Sequence, residues 1–303
     1  MDFIIQNILN ALQWGSFYAL IALGYTLVYG VLRLINFAHG DIFMVGAYIS
    51  FFVAGFLLGP LAGLSPSIAF AVTVPLTMFL TSLVGVTLER IAYRPLRRKG
   101  AHRLYVVITA LMCGLSLEYA NLAVLGASRL KFPELIEKQI WNIGGITLTN
   151  LKVMVIFAAI VVFLFLQWVV TKTRIGMAMR GISYDKFAIP LMGIPIDTII
   201  VFTFVLGSGF AGLAGLLFAM SYPVLEPFMG MLIGWKAFIA AVVGGIGDIK
   251  GAFVGGFLLG FIEVGVVTVF PSSYRDLFAF TILLLILWMK PTGLFGMPQS
   301  TKI

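Results

Sequence analysis

Charge is what this chain has least of: Asp, Glu, Lys and Arg make up 11% of its 303 residues, against ~25% in an average soluble domain. So thin a polar complement cannot clothe a water-soluble globule of this length, which excludes a cytosolic enzyme, a secreted domain and a disordered tail. Cysteine is scarcer still. The single Cys113 excludes any intrachain disulfide. The two histidines, His39 and His102, stand far apart without paired ligand spacing, so no metal site is proposed. There is no G-x-x-x-x-G-K-S/T loop, so the chain binds no ATP through a P-loop of its own, and its serines fall in no nucleophile-elbow pattern. A membrane-embedded enzyme is disfavoured on these grounds. No basic region precedes the first apolar run, which is too long for a signal-peptide core and reads as a retained membrane helix.

Apolar residues, by contrast, make up 61% of the chain and fall in long runs. A helix crossing ~30 Å of hydrocarbon needs ~20 of them. The runs at 8–32, 42–58, 66–88, 104–126, 152–170, 198–220, 229–246, 252–270 and 277–290 predict an all-α integral membrane protein. We expect a polytopic bundle of about nine transmembrane helices (eight to ten), some broken or half-spanning. Connections such as 59–65 and 271–274 leave no room for a soluble domain, so residues 1–303 read as one transmembrane domain.

Net charge is +8, and in a membrane protein the basic residues are read for sidedness before any nucleic-acid partner is considered. They concentrate in the stretches 90–103 and 172–186. Placing both in the cytoplasm, with Arg33, Lys250, Lys290 and Lys302, puts fourteen basic residues inside. Five remain outside, Arg129, Lys131, Lys138, Lys152 and Arg275, while Lys236 falls within a span. Nine crossings then leave the N-terminus outside and the C-terminus inside.

The 33 glycines mostly suit close helix packing: Gly207, Gly209, Gly212 and Gly215 follow one span, and Gly251/Gly255 and Gly256/Gly260 recur at four-residue intervals. Two glycine-broken stretches also carry polar groups, Asn36-Phe-Ala-His-Gly-Asp41 and Gly244-Gly-Ile-Gly-Asp248. Interrupted segments in the two halves of a chain point to a transport pathway. Ionisable residues inside spans face protein or water because lipid solvates them poorly. Glu118, Lys236 and Glu263 are the clearest, and Lys236 and Glu263 fall in consecutive spans where they can form an intramembrane ion pair. The stretch 171–194 reads as a cytoplasmic loop with a short helix, Ser183 as its N-cap, Asp185 in its first turn and Pro190 and Gly193 ending it. It exposes Met177, Met179, Phe187 and Met192, suiting either an interfacial helix on lipid headgroups or a plug for a groove in a soluble partner.

Seven stretches in order resemble the LivH-type permease subunits of branched-chain amino acid ABC importers. They are Asn36–Asp41, Glu89-Arg-Ile-Ala-Tyr-Arg-Pro-Leu96, Ile108-Thr-Ala110, the 174–194 loop, Lys236-Ala-Phe238 through Gly244–Gly247 to Gly251-Ala252, Glu263, and Lys290-Pro-Thr-Gly-Leu-Phe-Gly296. The resemblance implies the type II importer permease architecture and a bacterial inner-membrane location. It implies a pore shared with a second, LivM-like permease subunit, two P-loop ATPase subunits that bind ATP and Mg, and a periplasmic substrate-binding protein. It also implies that 171–194 is the coupling loop docking on an ATPase through Arg174, Gly176, Met177, Met179, Arg180, Gly181, Asp185, Phe187, Leu191 and Met192. By the same likeness Asn36, His39, Asp41, Glu118, Trp235 and Lys236 are candidates for the translocation pathway. Glu118 departs from the pattern, which carries glutamine near that position, and so does Pro190, where a small residue is common. Branched-chain or other neutral amino acids are the first expectation. The competing class is a stand-alone channel or ion-coupled carrier for urea, amides or amino acids, which would work alone in vesicles.

Overall fold

A computed structural model describes residues 2–60, 62–186 and 188–296. Phe187 and Lys302, both named above, lie outside the described residues. Each of the nine apolar runs forms a helix. They are α1 (Asp2–Leu32), α2 (His39–Leu58), α3 (Pro66–Arg98), α4 (Arg103–Leu125), α5 (Asn150–Lys172), α8 (Ile196–Ser221), α9 (Met229–Gly245), α10 (Ile249–Val269) and α11 (Arg275–Met289), with α6 (Arg174–Tyr184) and α7 (Ala188–Leu191) in the loop between α5 and α8. Eight are long and apolar enough to cross a membrane, counting α11 from Ser272, and α9 is the shorter ninth. The chain is thus a polytopic helical membrane protein. α1 starts earlier than the expected residue 8, and α3 continues past Leu88 through a π turn at Glu89–Tyr93.

Among the described residues two short ladders lie outside the helices and carry no hydropathy signal long enough to have been read from the sequence. β1 (Leu130–Lys131) pairs antiparallel with β4 (Val224–Leu225), and β2 (Ile140–Ile143) pairs with β3 (Ile146–Thr149). Gly144 and Gly145, at φ 56° and 85°, make the two-residue turn of that hairpin, a conformation open to glycine and costly for other residues.

Hydrogen bonds sort the loops into two ends. At one, Gln6 Oε1 accepts from Thr147 N at 2.8 Å, and the β1–β4 ladder joins the loops after α4 and α8. At the other, Arg33 Nε donates to Ser183 Oγ at 3.1 Å, Lys186 Nζ to the Leu32 carbonyl at 3.1 Å, and Leu294 N to the Val243 carbonyl at 2.8 Å. The two basic stretches share this second end, which we call the basic end.

α1 and α8 form the centre. Over its most apolar window α1 is 89% buried, whereas α11 reaches 11%. The outer helices present Phe157, Leu164, Leu284 and similar side chains outward, as a surface bathed in hydrocarbon requires. Backbones meet where glycine permits. A Cβ on Gly234 of α9 would stand 2.6 Å from Gly40 Cα at the start of α2, and one on Gly256 of α10 would stand 2.5 Å from Ala19 Cα. Such contacts are the packing that membrane helices use in place of a hydrophobic driving force.

Candidate functional site

The break between α1 and α2 sets the site. α1 ends at Leu32, and Arg33 takes φ 55°, the left-handed region that non-glycine residues seldom enter, so the helix cannot continue. After six residues α2 begins well inside the bundle. Its Gly40 N–H donates to Tyr25 Oη at 3.2 Å, and Tyr25 lies seven residues, about 10 Å, from the end of α1. Gly234 and Gly114, which flank the same turn, each lie eleven residues, about 16 Å, from the basic ends of their helices. For ~30 Å of hydrocarbon this is mid-depth. α2 is therefore a helix whose N-terminus starts inside the bundle, the kind of element that lines a pathway.

Asp41 stands in the first turn of α2. A Cβ on Gly114 would collide with Asp41 Oδ2, so the missing side chain at 114 is what lets the carboxyl approach α4. One helical turn further along α4 is Glu118, whose carboxyl lines the same cavity as that of Asp41. Both residues are buried. Asp41 Oδ1 and Glu118 Oε1 have no hydrogen-bond partner among the described residues. The pair lines a cavity of about 200 Å³ whose other walls are Tyr25, Phe37, Trp235, Leu115 and the glycines 40, 230 and 234. At ~30 Å³ per water the volume suits one small solute. Among the described residues no lysine or arginine lines it. The surroundings are thus two acids with spare acceptor capacity beside aromatic faces, an arrangement suited to a cationic nitrogen with apolar substituents.

The other pathway candidates fall around this cavity in different ways. Phe37 packs on Trp235 at 5.2 Å between ring centroids and on Phe238 at 5.1 Å, closing the cavity toward the basic end. His39 lies behind α2, edge-on to Tyr25 at 4.8 Å, its ring over Gly24. Asn36 lies below, its Oδ1 accepting from the Tyr93 hydroxyl at 2.6 Å. Lys236 turns away entirely. Its Nζ contacts Glu263 Oε1 at 2.9 Å in ion-pair but not hydrogen-bond geometry, and donates to Asp276 Oδ1 at 2.6 Å. Tyr18 Oη donates to Glu263 Oε2 at 2.8 Å, and Arg275 completes the group. So Asp41, Glu118 and Trp235 meet on one cavity, Asn36 and His39 flank it, and Lys236 belongs to a separate ion network tying α1, α9, α10 and α11.

The loop at the basic end departs from its reading in the sequence. Its main helix is α6, whose N-cap is Thr173, with Oγ1 accepting from Gly176 N at 3.0 Å. Ser183 falls in the last turn of α6, where its hydroxyl meets Arg33, and is no N-cap. Asp185 closes α6, and its Oδ1 accepts from Ala188 N at 3.2 Å, which caps α7 instead. Pro190 lies within α7, and Gly193, at φ 75°, follows it. Met177, Leu191 and Met192 are exposed, as are Arg174 and Arg180, whose guanidinium also donates to the Val170 carbonyl. Met179 is not exposed as expected. It sits at 2% exposure in an apolar cluster with Val28, Ile182 and Phe204, because it falls on the α6 face turned to α1 and α8. Gly176 is buried against the end of α5, and a Cβ on Gly181 would stand 2.5 Å from Ile189.

Sequence reasoning missed one further cluster. Glu89, fully buried in the π turn of α3, takes Arg94 at 2.8 Å and Arg97 at 3.0 Å. Arg97 and Arg98 reach across to Asp197 on α8, at 2.5 and 2.8 Å. These residues count only as loop charges in one dimension. The available signal was the acid at the head of a basic run, which a loop would not bury.

The chain matches, over residues 7–287, the family described as branched-chain amino acid transport system / permease component. It is 37% identical to the high-affinity branched-chain amino acid transport system permease protein BraD of Pseudomonas aeruginosa, covering 99% of this chain and 98% of that protein. It is 35% identical to the corresponding LivH proteins of Salmonella typhimurium and Escherichia coli, again over 99% of this chain and 98% of theirs. No solved structure matches it.

Proposed function

The chain belongs to the family of permease components of branched-chain amino acid transport systems, and from that premise we propose that it carries amino acids, branched-chain ones foremost, through a pore made with a second permease subunit. In ABC systems of this kind ATP hydrolysis resides in separate subunits, so this chain is a transporter component and not itself an enzyme. Two ATPase subunits binding ATP and Mg would drive it from the cytoplasm, and a periplasmic binding protein would deliver the solute across a bacterial inner membrane. The side assignment rests on the concentration of lysine and arginine at the basic end, with that end cytoplasmic.

The observation that carries the reading is the mid-depth cavity holding Asp41 and Glu118 against Trp235 and Tyr25. It suits the ammonium group of an amino acid with an apolar side chain beside it. The cavity also lies one short segment from the loop that would meet an ATPase. From α6, Ser183 holds Arg33, and Lys186 beyond it holds the Leu32 carbonyl. Four residues after Arg33, Phe37 closes the cavity against Trp235. A displacement of α6 by nucleotide closure would be felt at Phe37 through the break, the two packings of this segment being the switch.

The test is purification of the chain from its membrane in mild detergent, with ATPase and uptake assays of the eluate. Co-purification of a second permease and two P-loop ATPases, with hydrolysis stimulated by a binding protein and amino acid, is the expected result. A chain that purifies alone and moves urea, amides or amino acids in vesicles without ATP would overturn the importer reading in favour of a carrier or channel.

A further inference from the structure

A larger cavity lies elsewhere, at the end opposite the basic loops. It holds about 560 Å³ between the start of α1, the β2–β3 hairpin, the start of α5 and the far ends of α8 and α10. Lys138, Lys152 and Arg275 line it. Only five lysines and arginines belong to this end of the chain, so three of the five converge on one cavity. Their charge is not matched from within. Glu263 also lines the cavity, but it is engaged by Lys236 and Tyr18, and Asp276 is engaged by Lys236 and Arg275. Around the cavity four cations thus meet two carboxylates. Lys152 Nζ has the neutral Asn10 Oδ1 at 2.7 Å as its hydrogen-bond partner. Asn7, on the same wall, keeps a buried amide Nδ2 with no acceptor among the described residues.

The lip of the cavity is apolar. Phe3 is 68% exposed and Val267 is 42% exposed, and both face outward at the end of their spans. Surplus positive charge and a spare N–H donor at the depth of the headgroups, beside an apolar rim at the depth of the chains, match an amphiphile with an anionic head. We infer that this cavity is a binding site for the phosphate-bearing headgroup of an anionic phospholipid, in the leaflet opposite the basic loops. Lys138 and Lys152 supply its charge selectivity, Asn7 donates a hydrogen bond to it, and Phe3 and Val267 rest against its acyl chains.

The test uses the assembled transport complex reconstituted in nanodiscs. Phosphatidylglycerol and phosphatidylcholine of equal chain length compete, and the lipid retained after detergent extraction is counted by mass spectrometry. The wild type is expected to retain the anionic lipid with a preference on the order of tenfold, as two uncompensated cations at a membrane surface provide. Lys138→Gln with Lys152→Gln should bring the preference near parity, and Lys138→Arg with Lys152→Arg should keep it, which separates loss of charge from misfolding. Equal retention of both lipids by the wild type would overturn the proposal. So would competition by millimolar inorganic phosphate alone, since that assigns the cations to a free anion and not to a lipid.

Discussion

The Tyr93 hydroxyl donates to Asn36 Oδ1 at 2.6 Å, across the join between the π turn of α3 and the break before α2. Both residues are buried, and the same short π segment begins with Glu89, which α3 shares with Asp197 through Arg97. The break is therefore fixed from two sides, by α3 through Asn36 and by the loop before α8 through Arg33. Tyr93→Phe leaves the Asn36 oxygen buried without its donor, a loss of about 1–3 kcal/mol. The expected outcome is a complex that still assembles, with lower uptake and a lower melting temperature. An unchanged uptake rate would remove this bond from any account of gating.

Met177 is the clean probe of the coupling loop, being 64% exposed on α6. Met177→Asp is expected to leave the subunit in the membrane and its fold intact while separating ATP hydrolysis from uptake. Gly181→Asp is a poorer test, because its Cβ would strike Ile189 and disturb the α6–α7 junction itself. Normal uptake in Met177→Asp would count against docking at this surface.

Truncating Lys236 to Ala leaves the Glu263 carboxylate, at 2% side-chain exposure, with Tyr18 and the more distant Arg275 as its partners, and removing one partner of a buried pair costs up to about 3–5 kcal/mol. The complex should lose thermal stability, by less than that full amount because Tyr18 and Arg275 remain, read in a melting assay. Exchanging the two, Lys236→Glu with Glu263→Lys, should restore only part of it. The new carboxylate at 236 would face Asp276, now 2.6 Å from the lysine nitrogen.

Glu118→Gln keeps the shape of the cavity wall and removes one of its two acids. If the pair receives an ammonium group, uptake of amino acids should need a higher concentration for half-saturation, with a maximal rate changed less. An equal fall in rate at all concentrations would move Glu118 from solute contact to packing.

Lys186 stands outside the spans, and partial burial followed by the positive fields of Arg103, Arg97 and Arg33 holds its pKa below the ordinary lysine value. The unfolded loop then binds more protons than the folded one between the lowered and the ordinary value. Stability in that window rises with pH and is complete above the ordinary lysine pKa. Lys186→Met should flatten this alkaline rise in loop protection, measured by proteolysis of 172–196 across the range.

Hydropathy made all nine spans legible, because ~20 apolar residues in a row have few other uses. The polar cluster Asn36–Asp41 also marked where α2 starts, whereas the packing of Gly230 and Gly234 on that turn was not read from the sequence. What escaped the sequence is contact between residues far apart in it. Glu118 and Asp41 each stood out as span carboxyls, yet only the fold brings them together over Gly114. Asp276 was lost at the edge of a span, though it shares Lys236 with Glu263. The capping of α6 was misread because serine is the better cap by residue type, whereas in the fold Thr173 accepts from Gly176 N and Ser183 is engaged by Arg33.

The burial of α1 bears on how the protein is made. It enters the membrane ahead of α8 and α10, carrying Gln13, Ser16, Tyr18 and Thr26, all buried in the finished bundle. Their shelter comes in large part from α8 and α10, whose residues Gly256 and Glu263 meet Ala19 and Tyr18. At ~5–20 residues per second these helices emerge about eight seconds or more after α1. During that interval the polar residues of α1 lack the partners that bury them in the finished bundle, so nascent chains that stop short of α10 should be the ones that membrane quality control removes.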